Sequence, residues 1–120
     1  MKAGATIWAV RVTNTARDDF RRIIGWSVLQ FGKRQARIDA DTLSAAIQEL
    51  MAGPTLCGVQ ARDDIAAGIL TLHVARNGRT GRHFVMFQVA QQHRHVIDVL
   101  RILHEAMDLP RHMSSFMRDA

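Results

Sequence analysis

Arg79, Arg82, His83 and His104 carry the most chemical potential in this 120-residue chain. General acid–base catalysis with a developing negative charge needs a base, an acid for the leaving group, and cations against that charge. Two imidazoles and two guanidiniums supply those groups if the fold gathers them. The competing reading is that each histidine orders a strand end through hydrogen bonds, as a histidine among apolar neighbours often does. Other reactive groups are scarce. Tyrosine is absent, and lysine occurs only at Lys2 and Lys33. Cys57 has no Cys-x-x-Cys partner and no obvious activating neighbour, so it is expected to be inert. His93-Arg94-His95 would place two imidazoles on one face of a strand, but no cysteine or carboxylate lies near in sequence to complete four ligands. No metal site and no cofactor is expected.

The formal charge is +5, with an estimated pI near 11.0, and arginine supplies almost all of the positive charge. Arginine's planar fork suits carboxylates and phosphates and keeps its charge when partly buried. Such a surface fits an acidic protein segment or nucleic acid, although it also serves simple solubility. Met1 to Trp8 does not read as a signal peptide, because its apolar run breaks at Arg11 and Asn14. No stretch approaches a membrane span, and the lone cysteine suits a reducing compartment, so a cytoplasmic protein is expected.

The elements that must position these residues follow from pattern. Thr6 to Val12 reads as a short strand. Thr15-Ala16-Arg17-Asp18 resembles a capping box, with Asp18-Asp19 in the first turn of a helix that turns Phe20, Ile23, Ile24, Val28 and Phe31 inward. Gly32 stops it. A second helix runs from about Lys33 to Ala52, with Ala36, Ala40, Leu43, Ile47 and Leu50 as its stripe, and Gly53-Pro54 ends it. The pair folds as a hairpin. Pro54 to Asp64 reads as loop, Gly68 to Arg76 as a strand, Asn77-Gly78 as a tight turn, and Arg82 to Ala90 as the next strand. Gln91-Gln92 turns into a last strand, His93 to Leu103. The sheet face for the hairpin comes from Leu70, Leu72 and Val74, then Val85, Phe87 and Val89, then Ile97, Val99 and Leu103. The expectation is one α+β domain spanning 1–120, with a core of about 7–112 and a tail of 113–120: an N-terminal strand, an antiparallel helical hairpin, then a three-stranded antiparallel meander, the helices packed on one face of the sheet.

In that order the sequence becomes familiar. The last strand runs into Leu103-His104-Glu105-Ala106-Met107-Asp108, with Arg111-His112 just beyond. Upstream lie Ala16-Arg17-Asp18-Asp19-Phe20, Phe31-Gly32-Lys33-Arg34-Gln35-Ala36, Gly53-Pro54 and Gly81-Arg82-His83-Phe84-Val85. Taken together, these segments resemble the RelE/ParE superfamily of type II toxins, and its ParE branch in particular. The resemblance implies a toxin held silent by a cognate antitoxin that wraps it, with DNA gyrase as the target of ParE members. RelE-type relatives instead cut messenger RNA on the ribosome, using clustered Lys and Arg, or Glu, Arg and His, commonly beside a tyrosine. Phe87 stands where many members carry that tyrosine.

Three functions therefore remain open. A gyrase-directed poison has no catalytic residues, and its target surface would be the C-terminal segment with His104, Met107, Asp108, Arg111, His112, Phe116, Met117 and Arg118. A ribosome-dependent endoribonuclease would use Arg79, Arg82, His83 and His104. A non-toxic relative would only bind the antitoxin. In each case Arg21, Arg22, Arg34, Arg37, Arg76, Arg79 and Arg82 are the candidates to meet the antitoxin's carboxylates. Direct nucleic-acid binding stays open. Met107 and Asp108 equally read as a core plug and a cap for the tail. Asp39 is the local misfit: at 100° per residue it falls inside the apolar stripe of the second helix, where an unpaired carboxylate costs several kcal/mol. It sits there either as a rim residue paired with an arginine or as a substitution that weakens the fold or the toxicity.

Overall fold

The structure, a computed structural model, describes residues 6–107. Thr13, rather than Thr15, opens the first helix: its backbone is extended and its Oγ1 accepts from the Ala16 amide at 3.2 Å. That bond satisfies one of the first-turn N–H groups a helix cannot satisfy itself. Helix α1 spans Asn14–Phe31. The earlier start moves Asp18 and Asp19 beyond the first turn, so they do not play the macrodipole role expected of them. Gly32, at φ 89°, joins α1 to α2 (Lys33–Glu49), and its N–H donates to the Val28 carbonyl. A residue without Cβ takes that backbone at least cost. A 3-10 turn, Leu50–Ala52, finishes the helical segment.

Strands β1 (Ala9–Val12), β2 (Gln60–Ala61), β3 (Leu70–His73), β4 (His83–Val89) and β5 (Val96–His104) form one sheet in the order β1-β5-β4-β3-β2. β1 runs parallel to β5, with Ala9 opposite Val96, and the other pairs are antiparallel. The sheet is thus mixed, and the chain is α+β with its helices packed against the sheet. The two-residue β2, inside the expected loop, is too short to show an alternating pattern. The turn before β5 is longer than expected. It includes His93, Arg94 and His95, with His95 at φ 55°, so these residues do not form a strand face. The His95 ring meets Trp8 edge-on, 5.0 Å between centroids.

One extra residue in β5 decides which side chains face the helices. Met86 pairs with Arg101 but Phe87 pairs with Val99, leaving Leu100 as the surplus residue of a bulge. Alternation therefore changes parity. Ile97, Val99 and Ile102 join Leu72, Val74, Val85, Phe87 and the helix residues Ala16, Leu43, Ala46 and Leu50 in the main core. Leu103, expected on that face, packs instead with Ile65, Ile69, Phe84 and Met86 in a second cluster. Of the expected α1 stripe, Phe20, Ile23 and Ile24 pack on the core, while Val28 and Phe31 are exposed. Val89 also sits at the surface.

Asp19 clamps α1 to the sheet. It is 3% exposed and accepts from Arg101 Nε at 2.7 Å, Arg101 Nη2 at 3.0 Å, the Ile102 amide at 3.0 Å and Arg22 Nη2 at 3.1 Å. A buried carboxylate is stable only when it is paired and hydrogen-bonded in this way.

Candidate functional site

Beyond that clamp the hairpin and the sheet leave a groove of about 1310 Å³. Its helical wall carries Arg22, Ile23 and Trp26 from α1, Phe31 at the junction, and Gln35, Asp39 and Thr42 from α2. Its sheet wall carries Val74, Gly81, Arg82, His83, Arg101, His104 and Met107. The change of parity at Leu100 is what turns His104 toward the helices, level with His83, its register partner on β4.

The two imidazoles stand edge to face, 5.3 Å between centroids. Burial holds His83 below its ordinary pKa, and the His104 charge adds to that, with a smaller push from His73; Asp39 and Glu105 pull the other way. The Ala106 amide donates to His104 Nδ1 at 3.0 Å, which leaves the proton of the neutral ring on Nε2. His73 points to the other face of the sheet. Its Nε2 lies 2.7 Å from Glu105 Oε2, and that bond holds the Glu105 carboxyl below its usual pKa.

Asp39 is half-buried on the groove wall and is not a misfit. Ser27 Oγ donates to it at 2.6 Å and Gln35 Nε2 at 2.9 Å. Its partners are these two uncharged side chains rather than an arginine. Ser27 is itself only 1% exposed and twelve residues back on α1, a pairing that helical periodicity within α2 does not reveal.

Of the candidate cleavage residues, the fold brings Arg82, His83 and His104 into the groove, while Arg79 stands exposed in the β3–β4 connection, outside the groove lining. The arginines proposed to meet an acidic partner are scattered. Arg22 and Arg82 border the groove; Arg21, Arg34 and Arg37 are exposed on the helices, Arg21 lying 3.4 Å from Asp18. Arg76 is mostly buried and engaged internally. Its Nη1 donates to the Cys57 carbonyl at 2.8 Å, and its Nε lies 2.9 Å from Glu49 Oε2, an ion pair whose angle is too poor for a hydrogen bond. Met107 does not plug the core; it is exposed and borders the groove. Asp108, Arg111, His112, Phe116, Met117 and Arg118 lie outside the described residues.

Sequence reasoning missed the apolar end of the groove. Trp26 and Phe31 are 56% and 62% exposed, with their rings edge to face at 5.6 Å. Phe31 had been expected to face inward, and Trp26 falls off the inward stripe altogether. An exposed tryptophan beside an exposed phenylalanine marks a surface built for contact. Among the described residues no cluster of three or more His, Cys, Asp or Glu could hold a metal ion, and no helix is long and apolar enough to cross a membrane. The solvent-facing Cys57 has no disulfide partner.

The fold matches solved toxin–antitoxin structures. One neighbour is from a chromosomal ParDE system of P. aeruginosa, 19% identical, with a TM-score of 0.66, covering 82% of this chain and 96% of that one. Another is from the RelBE2 toxin–antitoxin complex of Mycobacterium tuberculosis, 22% identical, with a TM-score of 0.55, covering 85% and 95%. Comparison with curated protein sequences gives no match. The family model for the ParE toxin of the type II toxin–antitoxin system parDE matches residues 10–109. The chain belongs to that family of ParE toxins.

Proposed function

We propose that this chain is a cytoplasmic, gyrase-directed toxin, silenced when a cognate antitoxin lays an extended segment into the groove between the helical hairpin and the sheet. The observation that carries the docking reading is the groove, whose lining includes the exposed Trp26–Phe31 pair and Arg82. Aromatic anchors beside an arginine are the composition of a protein-binding hot spot. The solved neighbours come from toxin–antitoxin systems, which favours a partner of that kind. The ParE family match favours gyrase over the ribosome. A binding poison needs no acid–base pair of its own, and the C-terminal segment from His104 to Arg118 is proposed as its target surface.

One observation favours a second reading. His83 and His104 adjoin each other beside Arg82, as a base, an acid and a cation would in RNA cleavage. The chain has no tyrosine, and Lys33, the lysine among the described residues, is not part of the groove lining. The test uses purified chain with gyrase and relaxed plasmid, and in parallel with translating ribosomes. The proposed function expects loss of supercoiling with cleaved DNA trapped, reversed by the antitoxin. Normal gyrase activity together with cut messenger RNA would establish the second reading instead.

A further inference from the structure

A cluster at the inner end of the groove has a use that neither a gyrase surface nor general antitoxin docking requires. His83 and His104 face each other across β4 and β5 in the space between sheet and helices. The charged groups around them come from every neighbouring element. Asp19 and Arg22 lie on α1, Asp39 on α2, His73 on β3, Arg82 just before β4, and Arg101 and Glu105 on β5 and its end. Asp19 and Arg101 are joined by two hydrogen bonds, and Glu105 is bonded to His73 on the far face. What remains to meet an incoming group is Arg82, the edge of Arg22 and the two imidazoles, with Asp39 behind them.

We propose that this inner end is a carboxylate seat: the antitoxin segment that fills the groove places an acidic side chain against Arg82, His83 and His104, and the pair takes up a proton as it does so. The proposal rests on the groove being the docking site. It commits to a protein segment of one chemistry, apolar where it meets Trp26 and Phe31 and acidic at the histidine pair. The lining suits that occupant better than an RNA strand, because apolar surface outweighs polar surface along the groove, whereas a nucleic-acid backbone is held by a run of cations.

The proton follows from the geometry. Burial and the neighbouring His104 lower the His83 pKa, against the pull of Asp39 and Glu105. A second carboxylate, with water excluded, adds to Asp39 and reverses the balance. Imidazolium becomes the favoured form in the filled groove. Binding therefore tightens as pH falls from 8 toward 6, by up to about tenfold per pH unit for each proton taken up.

The seat can be tested without the antitoxin, so its failure is separable from failure of the docking reading. The full chain, labelled with ¹⁵N and ¹³C, is titrated with pH by NMR in chloride, in acetate and in inorganic phosphate at equal ionic strength. The proposal expects acetate to shift the ring signals of His83 and His104 and the Nε–H signal of Arg82. It also expects acetate to raise the His83 titration midpoint, while the His93 ring signals do not respond to acetate. Arg82→Gln, a change to an exposed side chain, should abolish the effect and leave the remaining spectrum intact. No response to acetate, or an equal response at His93, overturns the seat. A response to phosphate alone overturns the carboxylate and points to a nucleic-acid backbone.

Discussion

Replacing Asp19 with alanine tests how the site is held in place. The carboxylate is 3% exposed, and Arg101, its bidentate partner, has a side chain 15% exposed. The substitution removes the acceptor for two Arg101 bonds, for the Ile102 amide and for Arg22. Taking one partner from a buried, hydrogen-bonded ion pair costs about 3–5 kcal/mol, and here the Ile102 amide loses its acceptor as well. The contact to Arg22, on a largely exposed side chain, contributes little of this. In a domain of this size about 1 kcal/mol moves the melting temperature by roughly 4 °C, so Asp19→Ala should lower it by roughly 12–20 °C. Urea midpoints and thermal melts at pH 7 measure the loss. A further arm separates charge from packing: Asp19→Ala with Arg101→Met removes both charges and should recover part of the stability, since a buried pair is often no better than an apolar replacement. A single-variant loss below about 1 kcal/mol, or no recovery in the double variant, would refute the idea that this clamp fixes α1 to β5.

Asp39→Tyr should destabilise the chain by about 1–2 kcal/mol in urea melts, because the buried Ser27 hydroxyl loses its acceptor; a gain would mean that the carboxylate is poorly paired after all. His83 gives a pH signature. Its folded-state pKa is depressed, so below about pH 6.5 the unfolded chain binds a proton that the folded chain refuses, and stability falls as pH drops from there toward the depressed value. His83→Asn should flatten the urea midpoint between pH 7 and 5.5. Glu105 acts in a separate, lower window: its contribution is present above its unfolded pKa near 4.5 and is lost only as pH falls below that. Truncation after Pro110 should leave melting and antitoxin affinity nearly unchanged while abolishing toxicity; a fall of about ten degrees would make the tail structural.

Much of the architecture was legible because it rests on local pattern. The helical hairpin, the Asn77-Gly78 turn and three strands follow from periodicity and turn chemistry, and Asn77 and Gly78 both take positive φ. What escaped depends on partners distant in sequence. The parallel pairing of β1 with β5 joins the two ends of the chain, and β2 exists only because β3 offers an edge. The surplus Leu100 leaves no mark in composition, yet it turns His104 toward the groove and packs Leu103 into the second cluster. Of the site, His83, His104 and Arg82 were visible as residue types. The roles of Asp19 and Asp39 were not, because their partners are Arg101, 82 residues on, and Ser27, on the other helix.

The central claim, that the antitoxin docks in the groove, is tested most directly by the affinity of Trp26→Ala for the purified cognate antitoxin. Trp26 is 56% exposed, so its loss should leave thermal melting within a few degrees of the parent. As an exposed aromatic anchor it should cost about 2 kcal/mol of binding or more, roughly thirtyfold or greater in Kd. An unchanged melt with that loss of affinity is the predicted result. Affinity within twofold of the parent would contradict the account and place the antitoxin elsewhere on the toxin.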